Sequence, residues 1–184
     1  DELFIQDIKA RNKKRLRHHR WRWYSLFCLC IMACGAYFIY DLPGFLETQL
    51  RPQLGIEETE YSLLYTVYAI PNVILPLIGG TIALKVGNEA TLLVTNVLVT
   101  AGQIVFMFGG DALSFNTMIA GRVLFGLGAE TFYTLWATVI SEWFNDQEIS
   151  LAMGLTATVP NLLATCSGIF TPTIVQNDGI KAGL

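Results

Sequence analysis

Residues 116–144 read NTMIAGRVLFGLGAETFYTLWATVISEWF, and this stretch decides the fold. Most of it is apolar enough for lipid, and it exceeds the roughly 20 residues that cross a ~30 Å hydrocarbon core. It nevertheless carries Arg122 near its start and Glu130 at its middle. A charge at mid-bilayer costs about 2.5–3.5 kcal/mol even on the lenient insertion scale. A carboxyl kept at that depth either has a function or is made tolerable by a partner inside the protein. Both readings stay open for Glu130, and likewise for Arg122, nearer the expected lumenal end.

The neighbouring stretches share this solvent. Of the 184 residues, 53% are hydrophobic, and 24–40 and 92–110 lack the polar stripe that a helix of a soluble bundle would show. The class is therefore an all-α polytopic membrane protein. Five spans are expected: Trp21–Tyr40, Tyr61–Val86, Thr91–Gly110, 116–144 and Ile149–Val175. A sixth would open at Ile180–Leu184. The first is expected to end at Asp41-Leu42-Pro43, with a partly helical loop reaching Glu60. The chain begins at Asp1, not Met, and reads as a fragment or the ordered part of something longer.

Charge placement orients the spans. Eight of the twelve Lys and Arg fall within residues 9–22, whereas 41–60 carries Asp41, Glu47, Glu57, Glu58 and Glu60 against Arg51 alone. The positive-inside rule places the N-terminus in the cytoplasm. Residues 1–20 then form a basic cytoplasmic arm, either a loose orientation signal or a helix lying on an anionic membrane surface.

Little supports other chemistries. Cys28, Cys30, Cys34 and Cys166 sit in apolar runs and form no C-x-x-C, so they read as packing residues. Gly126-Leu127-Gly128-Ala129-Glu130 lacks the third glycine and the preceding strand of a dinucleotide fingerprint. His18 and His19 have no third ligand nearby in sequence. No cofactor, metal, nucleic acid or enzymatic activity is expected.

Polar residues inside the spans are the binding candidates. Tyr61, Tyr65 and Tyr68 recur at i, i+4 and i+7 on one face of the second span, as packing or as a ligand wall. Pro71-Asn72 and Pro76 interrupt that span, and Pro160-Asn161 is expected to break the fifth in the same way. Interrupted spans at corresponding positions point to transporter binding sites. Gln103 is the main polar residue of the third span. Arg122, Gly126 and Glu130 recur every four residues and drift slowly around one side of a helix. About 12 Å of axial rise separates Arg122 from Glu130, too far for a direct pair. Each needs a partner on another helix or in water.

At these residues the sequence resembles a family. Arg122-Val123-Leu124-Phe125-Gly126 resembles the R-x-x-x-G motif of the major facilitator superfamily, and Gly80–Gly87 resembles a degraded form of its cytoplasmic 2–3 loop motif. Leu84 stands where the family has an aspartate. The set Tyr40-Asp41-x-Pro43, Pro71-Asn72-Val73, Gly121-Arg122-x-x-Phe125-Gly126-x-Gly128-x-Glu130 and Trp143-Phe144 is similar to a lysosomal, dipeptide-transporting branch. The resemblance implies that residues 21–184 are part of the N-terminal six-helix half of a twelve-helix transporter. It implies alternating access, with Glu130 facing a central cavity and binding a peptide amino terminus. It also places an arginine in the fifth span, where this chain has Asn161, with Arg122 as a possible substitute. Candidate substrate-binding residues are Glu130, Arg122, Asn161, Asn72, Gln103 and Tyr65. The expected partners are the lipid bilayer, a dipeptide or similar small zwitterion, and a C-terminal half or accessory membrane subunit. Two alternatives remain: a non-transporting membrane subunit or scaffold, and a transporter of monocarboxylates or sugars.

Overall fold

Proline decides where these spans run and where they break. The computed structural model describes residues 21–70, 72, 74–144 and 147–178, without the side chains of 176–178. The basic arm with its histidines, Pro71, Val73, the Asn145-Asp146 pair and the expected sixth span lie outside the described residues. Among the described residues there are seven helices and no strand.

Helix α1, Arg22–Leu54, does not stop at Asp41-Leu42-Pro43 as the sequence suggests but continues through Pro43 and Pro52. Pro43 has no N–H for the carbonyl four residues earlier, Ile39. That carbonyl instead accepts from the Arg122 side chain at 3.1 Å, so the donor the proline withholds is replaced. The helix ends where Gly55 takes a left-handed φ of 67° and its N–H returns to the Arg51 carbonyl. A short α2, Glu58–Tyr61, follows with a capping box between Glu57 and Glu60.

The second span is broken, as expected. It consists of α3, Leu63–Ala69, and α4, Leu75–Val86, with Asn72 between them. Pro76 falls in the first turn of α4. Backbone N–H groups there have no intrahelical acceptor, so a proline removes nothing.

Gly87 alone separates α4 from α5, Asn88–Asp111. Helix α6 is Phe115–Trp143, and α7 is Ile149–Asp178. The expected break of the fifth span at Pro160-Asn161 is absent, because α7 runs unbroken through Pro160 and Pro172. The Asn161 side chain turns back on its own helix and donates to the Ala157 carbonyl at 2.7 Å. Pro160 removes one backbone bond, the one to the Thr156 carbonyl, and a membrane-spanning helix absorbs such a loss through neighbouring groups and small local adjustments. The internal echo of the second span is therefore confined to sequence.

Helices α1, α5, α6 and most of α7 are long and apolar enough to cross a membrane, and α4 is a shorter apolar helix. The most buried of the four long helices is α6. It meets α5 along small residues: a Cβ on Gly102 would lie 2.5 Å from the Phe125 backbone nitrogen. Such contacts let two backbones approach where lipid gives no hydrophobic drive. On its other sides α6 receives α3, α4 and α1, while α7 packs chiefly on α1.

Candidate functional site

The Arg122, Gly126, Glu130 series joins α6 to the elements around it. Each step of four residues engages a different group. Arg122 donates from Nη1 to Ile39 O at 3.1 Å and from Nη2 to Tyr40 O at 2.8 Å, reaching two successive carbonyls of α1. Gly126 admits α3, since a Cβ there would sit 2.9 Å from the Tyr68 carbonyl oxygen. Glu130 then meets the end of α3 and the interruption beyond it. Its Oε1 accepts from the Tyr68 hydroxyl at 3.0 Å and from Asn72 Nδ2 at 3.1 Å.

The interruption explains why Asn72 is available. In a continuous helix its amide would lie against the next turn. Here it stands between α3 and α4 with its Nδ2 turned to the carboxylate. Its Oδ1 is buried and has no hydrogen-bond partner. Among the described residues Glu130 has no ion-pair partner either. The centre is thus a half-buried carboxylate held by two neutral donors, with an unsatisfied amide oxygen on one of those donors.

Aromatic rings frame the centre. Tyr68 packs on Tyr40 at 5.2 Å and on Phe125 at 5.3 Å between ring centroids. Tyr133, one helical turn beyond Glu130, meets Tyr37 edge-on at 5.3 Å. These are the offset and T-shaped contacts that ring quadrupoles favour.

Arg122 has a different environment. Only 2% of it is exposed, and its guanidinium lies over the rings of Tyr65, Phe106 and Phe125 at 5.2–5.6 Å. It faces backbone carbonyls and rings in the packed interior rather than an open cavity. Tyr65 belongs with it, meeting Tyr40 edge-on at 6.0 Å. Gln103 is half-buried on α5 and takes no part in the hydrogen bonds of the Glu130 group. Asn161 is exposed on α7 in a shallow dent with Ala157, Thr158, Leu162 and Thr165.

Of the six candidates named from sequence, the structure brings Glu130 and Asn72 together. Arg122 and Tyr65 form a neighbouring cluster, while Gln103 and Asn161 stand apart. Tyr68 was missed as a site residue. Its signal was present: it is the last member of the Tyr61, Tyr65, Tyr68 stripe, and the one nearest the proline break.

These features define a class: a multi-pass helical membrane protein whose interrupted second span delivers polar side chains to a carboxylate in the middle of the fourth. The chain belongs to the Major Facilitator Superfamily, whose family model matches residues 14–183. It is 34% identical over 152 residues to the lysosomal dipeptide transporter MFSD1 of Homo sapiens, covering 82% of this chain and 32% of that protein. Identity to the protein of the same name in Danio rerio is 32% over 141 residues, covering 76% of this chain and 31% of that protein. A probable sulfoacetate transporter, SauU, of Cupriavidus necator is 22% identical over 147 residues, 80% of this chain and 33% of that protein. The chain spans about a third of the length of the curated relatives it matches.

Proposed function

We propose that this chain forms part of a solute transporter working by alternating access, and that its substrates are dipeptides or related small zwitterions. The observation that carries the reading is the Glu130 centre. A carboxylate at mid-membrane depth has two neutral hydrogen-bond donors and no cation among the described residues. Beside it, Asn72 Oδ1 is a buried acceptor without a donor. A substrate ammonium supplies what both need, a positive charge and several N–H groups. The names of the relatives from Homo sapiens and Danio rerio point to the same substrate class and to a lysosomal membrane. The basic N-terminal arm supports a cytoplasmic N-terminus.

In this reading Glu130 binds the substrate amino group, Asn72 shares that role, and Tyr68 holds the carboxylate in place. Asn161 is a neutral residue of the same transporter half, so capture of the substrate carboxylate falls to residues outside this chain. Monocarboxylates have less support, because the Arg122 guanidinium, their natural partner, is engaged by Ile39 and Tyr40.

The test is uptake of a labelled dipeptide into proteoliposomes carrying the full-length protein. Glu130→Gln keeps the shape and removes the charge, and it is expected to abolish uptake at unchanged expression. Normal uptake by that variant overturns the substrate role. Absence of uptake by the unmodified protein, with a stoichiometric membrane partner across the cavity, would favour a scaffold instead.

A further inference from the structure

We propose that Arg122 is a positioning residue: it supplies the donor that Pro43 withholds from α1, and through Tyr40 and Tyr68 it sets the place of the Glu130 carboxylate.

Each link is a direct contact. A proline at position 43 removes the N–H that would bond the Ile39 carbonyl, and its ring pushes that carbonyl off the helix axis. A carbonyl taken out of water and left without a donor is destabilising. Arg122 Nη1 reaches it at 3.1 Å, and Nη2 takes the next carbonyl, Tyr40, at 2.8 Å. The planar fork suits two adjacent oxygens, and a lysine ammonium presents no such pair of donors. The charge has no carboxylate within ion-pair distance among the described residues. Three ring faces at 5.2–5.6 Å stand in for one.

The contact then passes to the site. Tyr40, whose carbonyl Arg122 holds, lays its ring against Tyr68 at 5.2 Å. The Tyr68 hydroxyl donates to Glu130 at 3.0 Å. On the far side of the proline, the Pro43 carbonyl accepts from the buried Tyr61 hydroxyl at 2.7 Å, tying the same stretch of α1 to the tyrosine stripe. Without Arg122 the Ile39 carbonyl loses its donor, Tyr40 is free to shift, and the hydroxyl that holds Glu130 moves with it.

The reciprocal relation between Arg122 and Pro43 gives the test its control. In Pro43→Ala, residue 43 regains an N–H, and the Ile39 carbonyl can be satisfied within α1. Arg122→Gln should then do less damage when combined with Pro43→Ala than when residue 43 is the native proline. The readout is the rate at which Glu130 of the full-length protein, in detergent micelles, is labelled by dicyclohexylcarbodiimide, quantified by peptide mass spectrometry. This measurement needs no substrate, so its failure is distinct from failure of the dipeptide reading.

Arg122→Gln is expected to raise labelling of Glu130 by roughly threefold or more, the low end for coupled groups in one network. Pro43→Ala combined with Arg122→Gln should return most of the way to the rate of Pro43→Ala alone. Arg122→Lys should fall between the native residue and glutamine. A thermal melt run in parallel shows whether each variant is folded, and the rescue is compared only among variants that melt cooperatively. Two results overturn the proposal: unchanged Glu130 labelling in Arg122→Gln, or an equal increase whether residue 43 is proline or alanine. The second would mean that Arg122 acts on Glu130 independently of the proline.

Discussion

Tyr68 carries a role its neighbour Tyr65 does not, although both are tyrosines on one face of α3. The difference is what each side chain reaches. The Tyr68 hydroxyl donates to Glu130, while Tyr65 places its ring over the Arg122 guanidinium. A hydrogen bond to a charged group contributes roughly 1.5–3 kcal/mol. Tyr68→Phe deletes that bond and leaves the ring contacts with Tyr40 and Phe125 in place. It is expected to raise the KM for uptake about tenfold, with little change in kcat, as loss of uniform binding does. Tyr65→Phe should leave KM near the native value. Equal KM values for the two variants would remove Tyr68 from the site. The sequence showed this stripe but not the choice within it. Periodicity places three tyrosines on one face and says nothing of where the partner helix ends or how far the break turns Asn72. Arg122 was equally ambiguous. Its depth was legible, but that its partners would be two backbone carbonyls depended on Pro43, far away in sequence.

At the scale of helices, the α3–α6 approach rests on the absence of one carbon atom. A Cβ at Gly126 would lie 2.9 Å from the Tyr68 carbonyl oxygen and 3.3 Å from its ring. The oxygen is backbone and cannot swing aside, so α3 as a whole must move. Overpacking of this kind costs typically about 1–3 kcal/mol. Gly126→Ala is expected to lower the thermal midpoint of the purified protein and to raise KM as well, because Tyr68 leaves Glu130. Gly80→Ala is the control. It lies in α4, where an added Cβ meets nothing within 4 Å, and its midpoint should be unchanged or slightly higher. A lower midpoint for Gly80→Ala than for Gly126→Ala would refute the packing account. Span existence was legible because lipid demands long apolar runs, and the second-span break was legible from Pro71-Asn72 and Pro76. The ends were less so. At Pro43 of helix α1 a distant side chain supplies the missing donor, whereas α7 runs past Pro160 although Asn161 bonds Ala157 and not the Thr156 carbonyl that the proline leaves behind. A proline reports a missing N–H, and only the fold decides what replaces it.

Across the molecule, one end of the bundle carries two polar contacts between helices. Leu84, where the resemblance places an aspartate, is 86% exposed and offers no polar group. Asn88 at the start of α5 donates to Glu142 near the end of α6 at 2.8 Å. Arg22 at the start of α1 grips Glu148, just before α7, with oxygens at 2.6 and 2.8 Å from its two Nη atoms. The Arg22 guanidinium also lies over the rings of Trp23 and Phe144 at 5.7 and 5.6 Å. An exposed ion pair is worth little, about 0–1 kcal/mol. Only one of its two contacts is a hydrogen bond, but its side chains are only 17% and 34% exposed, so it belongs at the upper end of that range. Glu148→Ala is therefore expected to destabilise the α1–α7 seam by about 1 kcal/mol, read as a lower thermal midpoint at low salt. In about 1 M salt the Debye length falls to about 3 Å, and the difference from the native protein should shrink. A double-mutant cycle separates the pair from its surroundings. Glu148→Ala should matter less once Arg22→Gln has removed the cation, while the Trp23–Phe144 contact persists in every variant. If Glu148→Ala lowers the midpoint equally with and without Arg22, the carboxylate acts on α7 alone, and the first and fifth spans are held together by apolar packing without help from charge.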